Sequence, residues 1–425
     1  MGRKVGGQMV SIWMGDYYTV FVSDPALVKE IWYKNFANFA NRRHQPIGRL
    51  LSGGYKNLLS SDYGFWKPLR AMVANTFTKT KLRSMSKIID EQAQLFVKKM
   101  YEYHATGQPF TPTMFCKKYS MNIILMIVFS KHIPYEEDVS EGILGSLVEP
   151  IDDILRECSQ GRVLFSLNAI APLIEHFFSH KVLKSMKKIK SYVSAMYEEK
   201  LVDLDRNNPK DLFEDIIVER DDMDTIAHVA MDLLLAGTDT SESTIEWIIL
   251  YMCNYPELQE KVHAELSEII GKGNFAVVAD RPRTPYMTAF IKEVLRIKPL
   301  APFGLNRTNA EECTIGGFFL PKNTQMLINI YAIHHDEKYW KDPEVFLPER
   351  FLDEKSINPD AWIPFGVGQR NCVGMNLAMD EIYVACANIF LNFKMESSTG
   401  KPIDDEEVFG LTIHPKKYSV NLIKR

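Results

Sequence analysis

The sequence predicts a mainly α protein with a small β part, folded as a single domain over residues 1–425. Three observations carry that reading. From about Trp66 to Ile270 apolar residues recur with a period of about 3.6, the signature of amphipathic helices. Polar loops interrupt that pattern only at Tyr103 to Pro109, Tyr135 to Ser140 and Asp203 to Pro209. Strand-like alternation is confined to the first residues and to stretches after Pro299, so strands from the two ends are expected to pair and close one unit.

Composition agrees. With 46% hydrophobic and 24% charged residues, the chain can build a large core. A formal net charge of -4 lacks the basic surplus that nucleic-acid binding needs. The six cysteines (Cys116, Cys158, Cys253, Cys313, Cys372 and Cys386) show no paired spacing, which fits free thiols in a reducing compartment. No apolar run approaches the roughly 20 residues of a bilayer span; the densest, Ile123 to Phe129, reads as a core helix. Met1-Gly2-Arg3-Lys4 has no hydrophobic segment behind its charges and is no signal peptide. The expected location is cytoplasmic, or peripheral to the endoplasmic reticulum membrane.

In chain order, residues 8 to 23 alternate around Gly15-Asp16 as a hairpin, and Asp24-Pro25 caps a short helix through Tyr33. Trp66-Lys67-Pro68-Leu69-Arg70 starts a helix with Trp66 and Arg70 on one face. Asp222 to Asn254 is the longest helical candidate, roughly 50 Å at the usual rise. Its centre, Ala236-Gly237-Thr238-Asp239-Thr240-Ser241, is poor in helix formers. Either the hydroxyls bond back to carbonyls and widen one turn, or the helix works there. Thr284-Pro285 opens a helix carrying Glu293 and Arg296 on one face. Strands are expected over Cys313 to Phe319 and Gln325 to Ile330, and a loop holds His334-His335, read as structural or solvated.

Near the C-terminus, Phe365-Gly366-Val367-Gly368-Gln369-Arg370-Asn371-Cys372-Val373-Gly374 runs into an apolar helix, followed by a β tail from Ser397. A thiolate there is favoured by the helix dipole, the glycines let a flat ligand come close, and Arg370 can meet an anion. The alternative is a structural cysteine beside a glycine turn. No H-E-x-x-H, no Walker loop and no G-x-G-x-x-G after a strand appears. No site for NAD(P)H or flavin is therefore legible in the chain.

The pattern F-x-x-G-x-R-x-C-x-G, carried by Phe365, Gly368, Arg370, Cys372 and Gly374, resembles the haem-binding loop of the cytochrome P-450 superfamily. Other segments resemble the family in its order. They are Trp66 with Arg70, the A-G-T-D-T run, and E-x-x-R at Glu293 to Arg296 with Pro348-Glu349-Arg350-Phe351. The likeness covers nearly the whole chain and is nearest to the eukaryotic microsomal type. It implies the mainly α P-450 fold and haem b with Cys372 as axial thiolate. Trp66, Arg70, Arg307 and Arg370, with Arg42 as a further candidate, would meet the propionates, and Phe365 would line the haem. Thr240 would hydrogen-bond bound dioxygen, and Asp239 would help move protons. Glu293, Arg296 and Arg350 would form a buried structural cluster. Leu233, Ala236, Leu300, Ala301, Phe303, Leu411 and Ile413 would line an apolar substrate pocket.

The reaction implied is monooxygenation of an apolar organic substrate. Its partners would be O₂ and an NADPH-dependent cytochrome P-450 reductase or similar electron donor, docking near Lys67, Lys79, Lys81 and Arg83. Membrane-bound members usually place an anchor helix, a proline-rich hinge and another helix before the first strand, whereas this chain starts almost at that strand. The rival readings are therefore a shortened, catalytically silent haem protein and a haem-thiolate isomerase or dehydratase. The Asp239-Thr240 pair argues against the second.

Overall fold

The computed structural model describes residues 7–137, 142–159, 167, 171–353, 355 and 357–425. Met1 to Lys4 and the end of the Tyr135 to Ser140 loop lie outside the described residues, as does the side chain of Cys158.

Alternation at the start of the chain produces an antiparallel hairpin, Met9–Met14 with Tyr17–Val22, turned at Gly15 with φ +59°. Its second strand pairs in parallel with Gln325–Ile328, from Thr19 opposite Gln325 to Val22 opposite Ile328. Arg307–Thr308 adds the fourth, antiparallel strand. Strands far apart in sequence thus share one sheet, as the pattern predicts. Asp24 caps the next helix by accepting from the amides of Ala26 and Leu27. That α-helix covers only Pro25–Lys29 and passes into a π turn at Glu30–Lys34, so the expected helix to Tyr33 changes register part-way.

The helices form one core around Met223–Asn254, which Asp222 caps through the Asp224 amide. Pro112–Phe129 lies along it, and Gly237 explains how close they come. A Cβ there would sit 2.8 Å from Ile124 Cγ1. One poor helix former at the helix centre is therefore a packing requirement. Met375–Asn392 packs on both Lys79–His104 and the central helix.

Three expectations change in detail. Cys313 to Phe319 is two short strands, Cys313–Ile315 and Phe318–Leu320, because Gly316 and Gly317 turn the chain with φ +54° and +83°. Gln325–Ile328 stops short of Ile330, because Asn329 caps a new helix by accepting from the Ala332 amide. That helix, Ile330–His334, holds the first of the adjacent histidines expected in a loop. His334 is buried between the Arg296 carbonyl and the Ile363 amide, and burial pushes its pKa down to about 3. It is a structural, neutral imidazole.

The tail forms two hairpins, Phe393–Ser397 with Val420–Lys424 and Glu407–Phe409 with Ile413–Pro415. The second is tied to the core where the Ile413 amide donates to the Leu300 carbonyl at 2.9 Å. Among the described residues no helix is long and apolar enough to cross a membrane.

Candidate active site

The Cys372 loop is shaped by its backbone. Gly366 and Gly368 hold φ +68° and +74°, and a Cβ on Gly368 would lie 2.5 Å from the Trp32 carbonyl oxygen. The Cys372 amide closes the loop by donating to the Phe365 carbonyl at 2.9 Å. Helix Met375–Asn392 begins three residues after Cys372, capped by Gly374. Of the described cysteines Cys372 is the exposed one; Cys116 and Cys386 are buried, Cys253 and Cys313 half-buried.

Burial nevertheless leads the forces on its thiol and raises its pKa, against the pull of a hydrogen bond from Gly374 and the charge of Arg70. Surrounded by protein yet open at its own surface, Cys372 faces an interior space. A bound cation at the sulfur would reverse that balance.

The opposite wall is the middle of the central helix. Ala236 is exposed and Thr240 half-exposed, although most of that helix is buried. Thr240 Oγ1 donates back to the Ala236 carbonyl at 2.7 Å, and Thr244 does the same to Thr240. The back-bonding that the sequence left open is therefore present, and it occurs on the turn that faces the interior space.

Arginines gather at one edge. Arg370 lies over the Trp66 ring, 4.4 Å from guanidinium carbon to centroid, and gives one hydrogen bond to the Ser61 carbonyl. Its Nε and Nη1 are buried without a partner. Burial first, then Arg42 and Arg70, push its pKa down to about 9. Arg307 falls to about 9 through burial and the charge of Arg370. Arg70 reaches Asn371 Oδ1 at 3.0 Å. Arg42 spends its donors on the carbonyls of Leu59, Leu305 and Asn306, so it clamps loops beside the cluster. Asp62 is the carboxylate that offsets Arg370.

Several guanidiniums, one of them with two orphaned donors, at the rim of a space floored by a cysteine suit a flat ligand with more than one carboxylate. The donor set fits haem: a sulfur for the iron, and arginines for two propionates.

Glu293 receives Arg296 through two bonds of 2.7 and 2.9 Å and Arg350 Nε at 3.0 Å; Glu293 and Arg296 are buried as expected, whereas Arg350 is half-buried. Of the predicted pocket residues, Leu300 and Ile413 meet through their backbones, while Phe303 turns edge-on to Phe21.

Sequence reasoning missed two residues beside Asp239. Thr412 Oγ1 donates to Asp239 Oδ2 at 2.5 Å, and His414 Nε2 lies 3.4 Å from Oδ1. Leu411 and Ile413 were singled out, and a strand's period of two places Thr412 and His414 together on the other face. Also missed was Glu381, whose carboxyl accepts from Ser241 and which burial pushes up to about 8.

The fold and the site describe a haem-thiolate protein, and comparison with known proteins agrees. The cytochrome P450 family model matches residues 2–422. Probable cytochrome P450 519E1 of Dictyostelium discoideum is 35% identical across 100% of this chain and 89% of its own. Probable cytochrome P450 508A1 of the same organism is 35% identical over 99% of this chain and 88% of its own. A solved zebra fish cytochrome P450 structure with progesterone is similar at a TM-score of 0.86 and 26% identity, covering 99% of this chain and 96% of that one. The chain belongs to the cytochrome P450 family. Its members are haem-thiolate oxidoreductases, generally monooxygenases, that use haem b, O₂, a redox partner and a substrate.

Proposed function

We propose that this chain inserts one oxygen atom from O₂ into an apolar organic substrate, with electrons from a separate NADPH-dependent reductase or similar donor, and that residues 1–425 act as one haem domain. The observation that carries the reading is the exposed Cys372 facing an interior space rimmed by Arg370 with two orphaned donors. When bound, haem supplies the reductive activation of dioxygen, and a thiolate ligand favours O–O cleavage.

The chain's own residues bind, orient and protonate. Cys372 would hold the iron, with the Gly374 amide and Arg70 favouring negative charge on its sulfur. Arg370, Arg307 and Arg70, with Trp66 stacked on Arg370, would hold the propionates. Phe365 closes the cysteine loop through its carbonyl and would line the haem. Thr240, whose hydroxyl now bonds Ala236 O, would hydrogen-bond dioxygen, and Asp239 would move protons to that turn. Ala236, Leu300, Ala301 and Leu411 offer apolar surface, which supports an apolar substrate, while Leu233 and Ile413 are buried. Phe303, edge-on to Phe21, joins them from the side of the first sheet.

The test is the absorption spectrum of the purified, reduced, carbon monoxide-treated protein. A red-shifted Soret band is expected. Cys372→Ser removes it, and Ser at each of the other five cysteines leaves it in place. Retention of the band in Cys372→Ser overturns the reading.

A further inference from the structure

The surroundings of Asp239 suggest where its protons come from. Asp239 and Thr412 are buried, whereas the His414 side chain keeps 29% of its surface. Thr412 Oγ1 is 2.9 Å from His414 Nε2 and 2.5 Å from Asp239 Oδ2, so one hydroxyl bridges imidazole and carboxylate. These atoms form an unbroken line from a solvent-reaching ring to a buried acid on the turn that carries Thr240.

Holding the hairpin does not require this line. Ser243 Oγ and Trp247 Nε1 already donate to the Ile413 carbonyl at 2.9 and 3.3 Å. Burying a carboxylate against a histidine is expensive if the only gain is one more tether.

We infer that His414 is a positioning residue that supplies protons from solvent, through the Thr412 hydroxyl, to Asp239. This rests on the monooxygenase reading of Asp239 given above. In each passage the Nε2–H bond of the imidazolium breaks and its proton goes to Thr412 Oγ1. The Thr412 hydroxyl proton passes to Asp239 Oδ2, forming a carboxylic acid. The neutral ring regains a proton at Nε2 from solvent hydronium, leaving water, and the carboxylic acid gives its proton up at the Thr240 turn. No electrons move in the relay.

The charges facing the pair poise it for this work. Burial lowers the pKa of His414, but Asp239 and Glu246 overcome it and hold the ring above its ordinary value, with Lys117 opposing them. Burial raises Asp239, yet His414, Thr412 and Lys117 together hold it below its ordinary value. Lys117 is itself shared between Asp152 and Glu242, and Glu246 accepts from Thr113. The pairing favours an ionised carboxylate and a protonated ring.

The experiment uses the haem-loaded protein, its electron donor, and the variants His414→Gln and Thr412→Val. Gln keeps a hydrogen-bond donor but cannot titrate. In the unaltered protein the peroxide released per reductant oxidised should rise as pH climbs through the histidine's titration. His414→Gln should lose that pH dependence and hold a high peroxide share throughout, and Thr412→Val should raise the share with His414 intact.

Independently of turnover, histidine ¹⁵N shifts of the diamagnetic reduced carbonyl form should show one ring with a raised pKa. Asp239→Asn should bring that pKa down. An unchanged pH profile in His414→Gln, or a His414 pKa indifferent to Asp239→Asn, overturns the relay while the red-shifted band leaves the family chemistry standing. Absence of that band in the unaltered protein overturns the haem-thiolate reading and the relay with it.

Discussion

Asp232, on the central helix, accepts two hydrogen bonds from the loop ahead of Trp66: Asn57 Nδ2 at 2.9 Å and the Leu59 amide at 2.8 Å. Lys56 reaches toward Asp222 one helical segment away, and Gly53 lies so close to the His228 ring that a Cβ would sit 2.4 Å from it. The loop is thereby fastened to the helix that forms one wall of the candidate haem space. Burial pushes the Asp232 carboxyl up to about 7, against the hydrogen bonds that favour its charge.

This latch predicts a pH signature. A carboxyl whose pKa is higher folded than unfolded contributes most at low pH. That contribution is lost as pH rises from its ordinary value of 3.8 toward about 7. Asp232→Asn removes the slope, which for one group approaches about 1.4 kcal/mol per pH unit between the two pKa values. Denaturant unfolding at pH 5 and pH 8 checks this. The variant should lose less stability than the unaltered protein over that interval.

Thr240→Ala should leave the fold intact and spoil the chemistry. Its hydroxyl bonds only to Ala236 O on its own helix, and Ala is the better helix former. Thermal unfolding should change by no more than about 1 kcal/mol equivalent. Reductant use should persist while product falls and peroxide rises, read as peroxide and product per reductant consumed.

Gly237→Ala is predicted to destabilise the protein by about 1–3 kcal/mol, because its Cβ overpacks against Ile124. In an Ile124→Ala background the same change should cost less, with a coupling measurable in a double-mutant cycle. Additive effects would mean the two helices can part to admit a methyl group.

Glu293→Gln should cost about 3–5 kcal/mol, because it strands the buried guanidinium of Arg296. Haem content per soluble protein should fall along with stability, since the cluster also bonds the His334 and Val345 carbonyls and the Leu347 amide. Thermal unfolding and the Soret-to-protein absorbance ratio report the two effects.

Reversing Lys79 and Lys81 to Glu should slow first-electron transfer from an acidic donor and leave substrate binding unchanged. Both side chains are exposed, though Asp380 feels Lys79 and Asp215 feels Lys81. The rate should also fall with added salt, since the Debye length is about 8 Å at physiological ionic strength. Stopped-flow reduction against ionic strength decides it.

Much of this was legible before the structure. The loop into Cys372, the Trp66 to Arg70 face and the Glu293 to Arg296 spacing are local patterns, and spacing along one element survives folding unchanged. Pairing between the two ends followed from having unsatisfied strands at both. What stayed hidden was mostly contact across elements. Nothing in Thr412 or His414 points to Asp239, 173 residues away from Thr412. Gly237 read as part of a functional groove, and only Ile124 on the neighbouring helix shows its packing role. The free arginine donors were equally invisible, because a sequence does not say which guanidiniums spend their hydrogens on carbonyls, as Arg42 does.

The parallel pairing of Tyr17–Val22 with Gln325–Ile328 has a consequence for how the chain is made. Thr19 and Gln325 touch across 306 residues of chain. At ribosomal speeds of about 5–20 residues per second, the first hairpin waits roughly 15–60 s for its partner strand to emerge. Throughout that wait the backbone edge of Tyr17–Val22 has no mate and stands open to the wrong one. The helices between can assemble from neighbours as they emerge, but the sheet that positions Arg307 is completed only once Gln325–Ile328 has emerged. Newborn chains should therefore be most prone to aggregate, and most dependent on chaperones, just before Ile328 leaves the ribosome.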